Sequence, residues 1–250
     1  MLQMAHPLAS LVHKLRRLGS ISERDQAVIR ALPHHTRAVR PQETLIRQGD
    51  TPDHCTLLLS GLAARDRTTS AGARQLLGFC VAGDFLDLDS GLMGCAHDNV
   101  QMIGAGEIAC ISLDALTHLA FAHPIIGRLL WIDTLIHASI AREWILNVGR
   151  RDARTRLLHL LCELATRQEQ AGVGGHHELT LPLTQEQLAD ALGLTSVHVN
   201  RMLQSLRDEP AIERAGRTIR IKDWRSIARM ADFDDAYLRI DAVQTIADAY

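Results

Sequence analysis

The spacing of hydrophobic positions changes character along this chain. Between residues 5 and 32, Leu8, Leu11, Val12 and Leu15, then Val28, Ile29 and Leu32, recur at helical spacing and predict two short helices. From about residue 38 to 113 the apolar residues gather in brief runs: Thr44–Ile46, Thr56–Leu59, Gln75–Phe79 and Ile108–Ile111. Gly49, Gly61, Gly72, Gly83 and Gly106 punctuate them. Short strands separated by such turns predict a small β sandwich or barrel. Pro124 then opens a long helical stretch, a proline at the first turn being harmless because its missing donor has no partner there. Leu129, Ile132, Ile136 and Ile140 run along one side of it, as in either a core helix or a dimer seam.

Helical spacing returns between Leu183 and Leu206 as two short amphipathic helices joined at a glycine, the geometry of a helix-turn-helix. Thr184 and Gln187 have the spacing of a capping box, and Leu188, Ala191 and Leu192 form one buried face. Gly193 follows the last periodic residue, where the chain needs a left-handed conformation that glycine adopts cheaply. Thr195 caps the second helix, and Val199, Met202, Leu203 and Leu206 form its inward stripe. Outward lie Ser196, Val197, Asn200, Arg201 and Gln204, with His198 beside them: short polar groups, one guanidinium and no carboxylate. Such a surface suits the major groove, where Asn pairs with adenine, Arg with guanine and a valine methyl with the methyl of thymine.

Downstream, Ile212–Ile221 alternates around Gly216 as a hairpin does. This wing would offer Arg214, Arg217 and Arg220 to phosphates. Residues 150–230 hold thirteen Lys and Arg against ten Asp and Glu, whereas the rest of the chain holds fourteen against nineteen. The net charge of -2 thus conceals a small basic excess around the helix-turn-helix, which implies a modest electrostatic footprint.

At 250 residues the chain is long enough for one or two globular domains. No run reads as a secretory signal, and the most apolar span, Ile125–Val148, carries Arg128, Asp133, Arg142 and Glu143, so no membrane partner is expected. Five scattered cysteines without a C-x-x-C pair favour a reducing cytoplasm. His34, His35, His54 and His97 lack ligand spacing, so no metal or other cofactor is expected. No Ser-His-Asp set, carboxylate pair or phosphate-cradling loop points to an enzyme. Residues 172–178, with Gly172, Gly174, Gly175, His176 and His177, read as a flexible linker.

The order of parts from about residue 20 to 230 resembles the Crp-Fnr superfamily of bacterial transcription regulators. Leu45–Asp50 resembles that family's early strand and turn, Leu57–Gly61 its next strand, and Val81–Phe85 its Gly-Asp-Phe turn. Leu183–Ala189 and Val199–Leu203 complete the likeness. It implies an α+β architecture: an N-terminal jelly-roll-like β-roll effector domain, a long dimerisation helix and a C-terminal winged helix-turn-helix. The expected boundaries are 1–123, 124–149 and 150–250. The implied partners are a palindromic double-stranded operator and a second copy of the chain, with RNA polymerase a further candidate. A rival reading is a ligand-binding or adaptor protein whose winged domain contacts proteins.

Departures from the family narrow the signal. Cyclic-nucleotide members place a glutamate and then an arginine after the Gly-Asp-Phe turn. Here Leu86–Gly91 and Cys95–Val100 follow, with no arginine between Arg74 and Arg128. A cyclic phosphate beside Asp87, Asp89 and Asp98 would be unpaired and repelled, so cyclic AMP is not the expected effector. Oxygen-sensing members carry an N-terminal cysteine cluster for iron and sulfur, but the first cysteine here is Cys55. The effector is unassigned. A glutamate that reads cytosine in relatives corresponds to Val197. Beyond the wing, Trp224–Met230 reads as a helix, followed by Phe233, Tyr237, Leu238 and Ile240 among aspartates. This trail is expected to pack on the winged domain, the alternative being an acidic tail that shields the recognition surface.

Overall fold

The computed structural model describes residues 6–175, 177–206, 209–216 and 218–238. The chain divides into two compact units, one formed by the segment up to Arg65 with Phe79–Ala138, the other by Asp66–Gly78 with Ser139–Leu238.

The first unit opens with α1 (Ala9–Leu18) and α2 (Glu23–Arg30). Helix α2 starts where it does because Ser22 and Asp25 form a reciprocal capping box. Seven strands follow along the chain: β1 (His34–Val39), β2 (Thr44–Ile46), β3 (His54–Ser60), β4 (Ala63–Thr68), β5 (Arg74–Cys80), β6 (Asn99–Met102) and β7 (Gly106–Ser112), the stretch Asp66–Gly78 of β4 and β5 being counted with the second unit. They make two sheets, ordered β1-β7-β3 and β2-β6-β4-β5. Strand β7 lies antiparallel to both neighbours and buries Ile108, Ala109 and Ile111. A side chain on Gly106 would collide with the Ser60 carbonyl, so β3 and β7 cross closely only because that residue is glycine.

The four apolar runs predicted as strands are β2, β3, β5 and β7. Strands β1 and β4 are not legible, because His34–Arg37 and Arg65–Thr68 are polar and hold their place through hydrogen bonds to neighbours rather than an apolar period of their own, and β6 has only Val100 and Met102 to mark a period. Short α3 (Leu88–Met93) and then α4 (Leu113–Ala122) and α5 (Pro124–Arg150) complete the sequence of elements up to the second unit. Leu8, just before α1, and Leu11 and Leu15 within it pack with Leu57, Ile111, Ile126 and Leu129, while Leu58, Leu86, Val100 and Met102 fill the space between the sheets.

A buried ion cluster joins three parts of this unit. The Lys14 ammonium lies 2.6 Å from both Asp84, in the Gly-Asp-Phe turn, and Asp133, on α5. Burial works to lower the lysine pKa, but the two carboxylates outweigh it and raise it.

Helix α5 has two apolar faces. Ile126, Leu129, Leu130 and Ile140 are buried, whereas Trp131, Leu135 and Ile145 are exposed. By length and composition alone it could cross a membrane.

The second unit is built on α6 (Ala153–Gln170), whose Leu157, Leu158, Leu161 and Leu164 are buried. Asp152 caps it, and the backbone bond from Thr155 holds that carboxyl below its usual range. Around α6 lie β8 (Glu178–Thr180), α7 (Gln185–Leu192), α8 (Ser196–Ser205), β9 (Ile212–Ala215), β10 (Thr218–Ile221), α9 (Trp224–Met230) and a 3-10 turn, Asp235–Leu238. The linker expected at 172–178 is a correction. Glu178 starts β8, which pairs with β10, and the His177 ring stacks on Trp224 with centroids 4.0 Å apart. The glycines there form a turn, with Gly172 and Gly174 at positive φ, rather than a free tether. His176 lies outside the described residues.

Candidate nucleic-acid interface

The helix-turn-helix forms from the local signals in its sequence. The Gln187 backbone N–H donates to Thr184 Oγ1 at 3.1 Å, while the Thr184 N–H donates to Gln187 Oε1 at 2.9 Å. Gly193 ends α7 at φ 63°, ψ 40°, the left-handed conformation that turns the chain. Thr195 then accepts from the His198 N–H at 3.3 Å and starts α8. Arg156 on α6 donates from Nη1 to the Leu192 carbonyl at 3.0 Å, satisfying the end of α7 and tying the pair of helices to their support.

Val199, Leu203 and Leu206 face inward, and Met202 is half-buried. Ser196, Val197, Arg201 and Gln204 are exposed on the other side, Val197 at 73 %. His198 and Asn200 are intermediate, and Thr184 and Thr195 are exposed at the caps. All these predicted residues thus border one face of the two helices. One further neighbour takes part: Asn200 Nδ2 donates to Gln185 Oε1 at 3.0 Å, so the first turn of α7 steadies a side chain of α8. The two residues are fifteen apart, and only the folded turn brings them together.

The wing is present as β9 and β10, antiparallel around Gly216 at φ 61°, with Ile219 and Ile221 buried. Its charge differs from expectation at one position. Arg220 is held by Glu178, Nη2 to Oε2 at 2.6 Å, so this guanidinium is bound to the adjacent strand rather than offered free to phosphate. That bond is the principal reason the Arg220 pKa is raised. A glycine-rich stretch at 172–178 carries no strand signal of its own, so the Glu178 partner is not legible in the sequence. Arg217 and the Arg214 side chain lie outside the described residues.

In the β-roll a cation does stand by the acidic cluster: no arginine follows the Gly-Asp-Phe turn, but Arg65, earlier in the chain on β4, reaches Asp89 at 3.5 Å and also interacts with Asp98 and the Cys80 sulfur. Buried Asp87 accepts from the Thr56 N–H at 2.6 Å and its hydroxyl at 2.9 Å, while burial keeps the carboxyl pKa raised. Burial likewise pushes the Cys55 and Cys162 thiols up to about 12, which keeps them protonated. Among the described residues no three His, Cys, Asp or Glu side chains gather as a metal site.

Residues 36–123 match the cyclic nucleotide-binding domain, and residues 155–230 match the Crp-like helix-turn-helix domain. The chain belongs to the Crp-Fnr superfamily of transcription regulators. It is 29 % identical to the transcriptional activator protein FnrL of Cereibacter sphaeroides over 202 residues, covering 79 % of this chain and 81 % of that one. It is 28 % identical to the probable transcriptional regulator flp of Lacticaseibacillus casei, covering 87 % and 95 %. The structure of FixK2 from Bradyrhizobium japonicum shares the fold, with a TM-score of 0.71 at 22 % identity, covering 80 % of this chain and 98 % of that one. As a member of this superfamily, the protein is a DNA-binding regulator and not an enzyme.

Proposed function

We propose that the protein acts in the cytoplasm as a homodimer on an inverted-repeat operator, with α8 of each copy in successive major grooves about 34 Å apart. The observation that carries this reading is the outward face of α8: Ser196, Val197, Asn200 and Arg201 stand together without a carboxylate. Arg201 is the candidate reader of guanine, Asn200 and Ser196 assist, and Val197 selects by methyl contact or weakly.

The outward stripe of α5 supports the dimer. Trp131, Leu135, Ala138, Arg142, Ile145 and Gly149 recur at alternating intervals of four and three, the period of a two-helix seam. An exposure of 74 % at both Trp131 and Ile145 leaves apolar surface that a second copy would cover. Cyclic AMP is not the signal in this proposal, because Arg65 is already engaged by Asp89.

Binding-site selection with the purified full chain tests the reading. An inverted repeat is expected, and Arg201→Ala should weaken each half-site by about 1 to 3 kcal/mol and relax one base position. Unchanged affinity and sequence with Arg201→Ala would remove α8 as the reader.

A further inference from the structure

We infer that the segment after α9, Ala231–Leu238, is a strap that positions the DNA-reading unit on the end of α5, with Tyr237 as its positioning residue. The inference rests on the dimeric operator-binding reading above. The strap lies beyond residue 230, where the match to the helix-turn-helix domain stops.

The anchor is Glu163, a fully buried carboxylate on α6. It accepts from the indole Nε1 of Trp144, on α5, at 3.1 and 3.2 Å, and from the Tyr237 hydroxyl at 3.0 Å. Arg167 of α6 approaches it at 3.4 Å. A buried carboxylate is costly unless its lone pairs are met, so removing any donor penalises the arrangement. Two of these donors come from outside α6, one from α5 and one from the strap. The same charge therefore fastens three elements at one point.

A second point of attachment lies one turn away along α6. His159 Nδ1 sits 3.2 Å from the Ala231 carbonyl, and its Nε2 sits 3.2 Å from the Tyr237 hydroxyl. The third attachment is at the bend between α5 and α6. Arg151 Nη2 lies 2.7 Å from Glu143 of α5, and the same guanidinium reaches the Asp232 carboxylate at 3.0 Å and its carbonyl at 3.1 Å. Phe233 fills the space between, edge-on to His159 and Trp224. The side-chain hydrogen bonds and ion pairs named for the strap thus fall on residues of α5, α6 and the bend between them. A mere packing appendix has no need to share its partners with the helix that leads out of the domain.

In a two-fold dimer this corner sets where each recognition helix points. One added base pair moves a half-site by about 3.4 Å and turns it by roughly 34° around the duplex. A corner held at three points tolerates such a change poorly. A loosened corner tolerates it better, so the strap should be read out as half-site spacing selectivity.

The test uses full-length dimer and the operator obtained by selection, remade with one and two base pairs added to or removed from its centre. Wild type is expected to prefer its own spacing over its neighbours by about tenfold. Tyr237→Phe keeps the ring and deletes the hydroxyl, and it should bring that preference to within about threefold. Asp232→Asn removes only the exposed ionic contact with Arg151 and should act in the same direction if Tyr237→Phe does not fold. Overturning results are a wild type indifferent to spacing, or a folded, dimeric variant as selective as wild type. Failure to select any operator would instead refute the DNA-binding reading beneath the inference.

Discussion

The side-chain amide of Asn200 donates to Gln185 across the turn of the helix-turn-helix at 3.0 Å. One amide hydrogen is thereby spent within the protein, and the other, together with the carbonyl oxygen, is left to meet an adenine edge. Gln185→Ala should leave the fold intact and cost roughly 0.5 to 1.5 kcal/mol of operator affinity, concentrated at the base facing Asn200. Binding-site selection with this variant checks it. A uniform loss across all positions would place Gln185 on the phosphates instead.

Lys14 predicts a different kind of sensitivity. Lys14→Met would retain the apolar stem but remove the cation that buried Asp84 and Asp133 share at 2.6 Å, leaving the imidazole of His137 at 3.7 and 3.9 Å as the next group facing both. Breaking a buried pair from one side costs about 3 to 5 kcal/mol, and urea unfolding should show a loss of that order. Asp133→Asn should cost less, since the ammonium keeps Asp84.

Acid should loosen the winged unit through His159. Burial, helped by the neighbouring Arg151 charge, lowers its pKa below the usual 6.5. As pH falls through 6.5 the unfolded chain takes up the proton first, so the unfolded state binds more protons and stability drops with pH. Above that range both states are neutral and the contribution is flat. The slope below pH 6.5 should shrink in His159→Gln, measured by thermal melting across a pH series.

Gly193 is a backbone position with little tolerance for a side chain. Its φ of 63° is strained for any other residue, and an added Cβ would meet Val148 Cγ1 at 3.1 Å. Gly193→Ala should cost about 1 to 2 kcal/mol or more. The melting temperature should fall, and operator affinity should fall with it because α7 and α8 lose their mutual angle.

The sequence by itself determined the caps, the turn and the faces of the reading helices. Thr184, Gln187, Gly193 and Thr195 act on neighbours within a few residues, and their chemistry is the same in a short peptide as in the fold. The long helix and the apolar strands were equally legible, because each carries its own period. Tertiary structure alone decided which polar groups meet. Asn200 finds Gln185, Arg220 finds Glu178, Arg65 finds Asp89, and Tyr237 finds Glu163 seventy-four positions away. It also decided that polar β1, β4 and β8 are strands, since their partners lie on other segments. Hydrophobic period is a property of one segment, whereas a hydrogen bond or ion pair belongs to two, and only the folded chain specifies the second.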